Sequence, residues 1–297
     1  MDRASTFSDE RVIELLTNDF IPVAGDVWYL QRHRGAVGEF YREVVFQREG
    51  TTADRTTQGL YIFGPDGELL RGWNNRDAGK VVRLLEETLD EYVPPECGEL
   101  EETPDEPYDR APPEGGLVVD VFARILQAEW PEAESRWERI RRESTGRDHL
   151  WVRADEVQAL ARGELPDGLT ERILRFHLID NTRGEPPMWR RDEIRRSELA
   201  LEPREGGFRV RGELELATES GNRGYRAELL GYIEAADEAV TRFDLLVLGD
   251  FRGEGRWTPG APPGEFKLGV AFSLAGEGTA SQVPPQGSRI LRDYLGL

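Results

Sequence analysis

The sequence predicts a mixed α+β protein in two unequal parts, and three observations carry that prediction. Apolar residues in the first third recur at helical spacing, whereas those beyond residue 200 alternate with a period of two. Between the two patterns, residues 93–116 hold six prolines among acidic side chains and few large apolar ones. The expected architecture is a truncated α/β unit over residues 1–92, an acidic proline-rich linker over 93–116, and a third part over 117–297. That third part is a mainly antiparallel β barrel or sandwich with capping helices.

Taken in order, residues 8–20 place Val12, Ile13, Leu15, Leu16 and Phe20 at helical spacing behind Ser8 as N-cap, with Asp9 and Glu10 in the first turn. Residues 21–27 follow directly and read as a strand. Residues 37–46, with Phe40, Val44 and Val45 apolar, read as a second helix. Pro65-Asp66-Gly67 supplies the dihedrals of a tight reversal, so residues 57–70 read as a hairpin. Residues 77–92 close the unit as an amphipathic helix capped by Asp77, with Val81, Val82, Leu84, Leu85 and Leu89 inward.

This order of helix, strand, helix, hairpin and helix resembles the thioredoxin-like superfamily over residues 5–92. The phrase from Ser5 to Val23 is similar to the spermatogenesis-associated thioredoxin-like type. In such proteins a strand and a two-cysteine motif stand just upstream of that phrase, at the place where Met1 falls here. The resemblance implies thiol–disulfide chemistry, which needs a thiolate pair at a helix N-terminus. The only cysteine, Cys97, sits in the linker. Gln58-Gly59 stands where the family usually holds a cis-proline. Two readings stay open: a redox-silent thioredoxin-like module, or a thiol–disulfide oxidoreductase whose cysteine segment lies upstream of this chain.

Residues 117–142 are expected to be helical, with Val118, Val121, Phe122, Ile125 and Leu126 on one stripe, then Trp130, Trp137 and Ile140 after Pro131. A shorter helix is expected over 154–162. About six strands should follow, over 172–180, 198–202, 208–216, 225–233, 240–251 and 266–274. Phe208, Val210, Leu214 and Leu216 alternating with Arg209, Arg211, Glu213 and Glu215 is the clearest of them. Gly212, Gly231 and Gly249 inside strands fit the bends that closing a barrel needs.

A net charge of -19 argues against nucleic acid as a partner, since phosphate binding needs a basic stripe. The nearest approach, Arg190-Arg191 with Arg195-Arg196, is diluted by Asp192 and Glu193. No apolar run reaches the roughly 18 residues of a membrane span. The polar N-terminus carries no secretory core segment, so the cytoplasm is the expected location. Lysine occurs only at Lys80 and Lys267; arginine supplies the remaining basic residues, which reads as GC-rich coding sequence or adaptation to high salt.

The densest chemistry-bearing stretch runs from Arg175 to Trp189. His177, Asp180 and Glu185 are its candidate catalytic groups for a hydrolase-like site, and Asn181 and Arg183 its candidate ligand-binding groups. Strand parity puts His177 and Asp180 on opposite faces, which makes direct pairing awkward, and the plainer expectation pairs Arg183 with Glu185. Trp257 opens a proline- and glycine-rich segment expected to pack as a lid near Trp189; the two indoles would line an apolar pocket. His33, His149 and His177 form no ligand-spaced pair, so no metal and no cofactor are expected. Together these features point to a binding or scaffold protein acting through its β part, with an unknown protein or a small apolar ligand as partner.

Overall fold

Asp9, rather than Ser8, starts the first helix. In the computed structural model, which describes residues 6–55, 57–93, 110–236, 239–276 and 283–297, Ser8 ends a short 3-10 turn and the Asp9 carboxylate accepts the amides of Arg11 and Val12. The chain divides into two compact units, Asp2–Tyr108 and Asp109–Leu297. Cys97 and most of the proline-rich stretch lie outside the described residues.

In the first unit α1 (Glu10–Asn18) is followed by α2 (Val27–Leu30), α3 (Ala36–Val45), the hairpin β1 (Leu60–Phe63) and β2 (Leu69–Trp73), and α4 (Ala78–Glu91). The strand expected over 21–27 does not form. Pro22 lacks an amide, Ile21 is 92% exposed with no ladder beside it, and Asp26 caps α2 by accepting the Tyr29 amide. The hairpin turns where expected: Gly67 adopts a φ of 81°, and Asp66 accepts the Glu68 amide at 3.1 Å. Asp77 caps α4 by accepting the Lys80 amide. Val12 and Leu15 of α1 and Val81 and Leu85 of α4 pack with Ile62 and Trp73 of the hairpin into one core. Leu89, expected inward, is exposed near the end of α4.

The second unit is built on one seven-stranded, wholly antiparallel sheet. Its strands are β3 (Leu117–Gln127), β4 (Thr145–Val152), β5 (Ile194–Arg204), β6 (Gly207–Ala217), β7 (Gly224–Ala236), β8 (Ala239–Arg252) and β9 (Glu265–Leu274), in the order β4-β3-β9-β8-β7-β6-β5. The end strands β4 and β5 do not pair with each other, so the sheet is open and forms neither a closed barrel nor a sandwich. Helices take the role that closure would have had. Val157 and Leu160 of α6 (Ala154–Ala161), Leu169 of α7 (Asp167–Arg172) and the residues after it join the inward side chains of the strands in one core. Gly231 and Gly249 serve close approach: a Cβ there would stand 2.3 Å from Asp244 O and 1.9 Å from Arg226 O across the ladder.

Two segments differ from the sequence expectation in kind. Residues 117–127 are strand β3, with Val119, Val121, Ala123 and Ile125 buried alternately, and only Arg136–Glu143 after Pro131 forms a helix, α5. β-Branched side chains crowd a helix and suit a pleated surface, which decides between two periods that both fit. Residues 172–177, expected as a strand, finish α7 and run into a π-helical turn, Ile173–His177, in which Leu178 donates to Ile173 O. That turn is buried on every side, with Arg175 and His177 enclosed alongside Ile173, Leu174 and Phe176, so polar and apolar positions do not separate into faces and its spacing carries no period.

Candidate functional site

The π-helical turn aims His177 at the C-terminal helix α8 (Leu291–Leu295). His177 Nε2 lies 2.9 Å from the Tyr294 hydroxyl, and the same hydroxyl accepts the Trp151 amide of β4 at 3.2 Å. Burial and the nearby Asp148 charge push the Tyr294 phenol well above its ordinary pKa, so it keeps its proton and can donate. The hydroxyl accepts from Trp151 and shares a hydrogen bond with Nε2 whose direction depends on the imidazole tautomer. Nδ1 in turn faces Asp148 Oδ2 at 3.4 Å. The other oxygen of Asp148 accepts the amides of His149 at 2.9 Å and Gln286 at 3.0 Å. A Tyr–His–Asp chain thus joins α8, the π-helical turn and β4.

Beside it on β4, His149 Nε2 lies 3.1 Å from Asp120 Oδ1, which also takes a 3.0 Å bond from Arg147. Burial lowers the His149 pKa, opposed by the charges of Asp148 and Asp120. Beneath α8, Arg172 and Glu156 form a two-pronged pair at 2.7 and 3.0 Å, and Arg172 also donates to the carbonyls of Tyr294 at 2.6 Å and Trp151 at 3.0 Å. The sequence reasoning missed this pair. A glutamate in the first turn of a short helix and an arginine at the end of the next look like ordinary surface charges.

The remaining predicted site residues are drawn apart. Asp180 gives one oxygen to the Thr182 amide and hydroxyl at 3.1 and 2.6 Å, and the other to Arg183 at 2.6 Å. Arg183 reaches on to the Thr258 carbonyl, and all three residues are buried. The expected Arg183–Glu185 pair does not exist: Glu185 pairs instead with Arg289 at 2.8 and 3.1 Å. Asn181 packs against Gly146, where a Cβ would stand 1.8 Å from its Oδ1.

Trp189 is a core residue. Its indole donates to Leu178 O at 2.8 Å, and the Arg223 guanidinium covers its ring at 3.9 Å. Trp257, 64% exposed, carries Arg256 over its own ring. The segment after Glu254 does pack on the loop holding Arg183, with Gly184 against the Trp257 carbonyl, but the Trp257 side chain points outward and lines no pocket with Trp189.

Chemically, His177 and Tyr294 share a hydrogen bond, but Nδ1 and Asp148 Oδ2 make none at 3.4 Å, the His177 side chain is 0% exposed, and its face toward α8 is occupied by Tyr294. Among the described residues no group of three or more histidine, cysteine or acidic side chains is placed to hold a metal ion. Nor is any described helix long and apolar enough to cross a membrane. No protein-family model, no curated protein and no solved structure matches this chain.

Proposed function

We propose that this is a non-catalytic binding or scaffold protein: a redox-silent, thioredoxin-like N-terminal unit joined to a β unit that makes the functional contacts. The observation that carries this reading is the burial of His177. The imidazole is closed off from solvent and committed to Tyr294, while Asp180 is committed to Thr182 and Arg183. A general base must reach the proton it removes, and neither group presents an open face to a substrate. Asp180 instead completes internal hydrogen bonds with Thr182 and Arg183, and His177 gives Nε2 to Tyr294 while its Nδ1 only faces Asp148.

The N-terminal assignment is supported by the hairpin packed between α1 and α4, and by the single cysteine, which cannot form a disulfide within this chain. Its test is turnover of p-nitrophenyl esters and reduction of insulin disulfides by the purified chain. Neither rate is expected to exceed buffer. Ester hydrolysis that His177→Gln abolishes without changing the circular dichroism would overturn the reading, as would any sustained insulin reduction.

A further inference from the structure

The connection from β3 to β4 forms a cleft of about 480 Å³ that none of the clusters above uses. That size lies within the roughly 300–1,000 Å³ typical of small-molecule sites. Ile125 and Leu126 at the end of β3, with Trp130 beyond it, supply apolar lining, and Leu126 is 57% exposed there. Across from them α5 contributes Arg139 and Arg142, with Glu143 as the one acidic side chain of the lining.

These arginines are unusual in this chain. The protein carries a net charge of -19, yet α5 reads Arg136-Trp137-Glu138-Arg139-Ile140-Arg141-Arg142-Glu143, with twice as many arginines as glutamates. Arg139 and Arg142 stand three residues apart on one helix face, where like charges repel. Arg142 is held in place: its guanidinium lies 5.0 Å over the Trp130 ring and donates to Pro131 O at 2.7 Å. Glu138 approaches it only to 3.7 Å. Arg139 is exposed, and its guanidinium has no partner among the described residues. An anion between the two would relieve their repulsion, and an apolar body attached to it would cover Leu126.

We infer that this cleft binds a free amphiphilic monocarboxylate, its carboxylate between Arg139 and Arg142 and its hydrocarbon chain over Ile125, Leu126 and Trp130. The inference rests on the binding reading above and names a ligand class for it. Decanoate below its micellar concentration is the probe, titrated into the full chain by calorimetry. Saturable one-to-one binding is expected, weakened about tenfold by Arg139→Ala, as suits loss of one charge-assisted contact. Decanol and decyltrimethylammonium, with the same chain and no carboxylate, should bind at least about tenfold more weakly. Arg139 is exposed, so its replacement leaves the fold intact, and Leu126→Glu gives an independent loss through the apolar side.

Absence of saturable decanoate binding would overturn the inference. So would equal affinity for the cationic amphiphile, or an affinity that neither variant changes. Each of these outcomes leaves the non-catalytic reading to its own turnover test.

Discussion

At the scale of single residues, burial and neighbouring charge set the protonation of the imidazole on β4. His149 gives this a measurable form. Burial depresses its folded pKa, so between the ordinary histidine value of about 6.5 and that lower value the unfolded chain binds more protons than the folded one. Stability therefore rises with pH across that window and is lost as pH falls through it. Urea midpoints measured between pH 7.5 and 5 are expected to drop with acidification, and His149→Gln should flatten the slope over that range. His177 was visible in the sequence as part of a polar cluster, but its partners were not. Asp148 lies on a strand that no alternation announced, and Tyr294 lies near the chain terminus. Pairing between distant residues is set by the sheet and the packing of α8, and residue spacing does not encode it.

At the scale of elements, α6, α7 and α8 are tied together by charge buried among apolar side chains. Arg172 bonds Glu156 at the start of α6, a carbonyl of β4 and carbonyls of α8. Arg175 in the π-helical turn bonds Asp293 of α8 at 2.7 Å, and this contact holds the Asp293 carboxyl below its usual range. Replacing Arg172 with leucine would strand the Glu156 carboxylate without its counter-charge, and breaking one side of such a pair costs about 3–5 kcal/mol. The double variant Arg172→Leu with Glu156→Leu is expected to recover much of that loss in denaturant unfolding. A single variant as mild as a surface substitution would show that the pair carries little of the packing.

The elements differ in how readable they were. β6 through β9 each expose one face and bury the other, so alternation marked them. β5 is the edge of the sheet, and its charged side chains and Pro203 blunt pairing with another chain at the cost of a clear pattern.

At the scale of the whole molecule, the apolar cores fall within single units: one between α1, the hairpin and α4, the others entirely within residues 117–295. A fragment comprising residues 110–297 is accordingly expected to unfold cooperatively by itself, with near-ultraviolet circular dichroism retained. Loss of that signal in the fragment would mean that the first unit supplies part of its stability.

Local chemistry alone determined the caps at Asp77 and the reversal at Pro65-Asp66-Gly67, the amphipathic helices α1 and α4, and the meander from β6 to β9. In each of these, solvent lies on one side and the core on the other, and that asymmetry is written into residue order. Tertiary structure alone decided that residues 117–127 are a strand, that residues 172–177 are helical, that the sheet stays open, and that His177 meets Tyr294 and Asp148. Where a segment is buried all round, or where two periods fit the same apolar residues, neighbours distant in sequence determine its form. The buried cluster joins one such turn to β4 and to the buried side of α8.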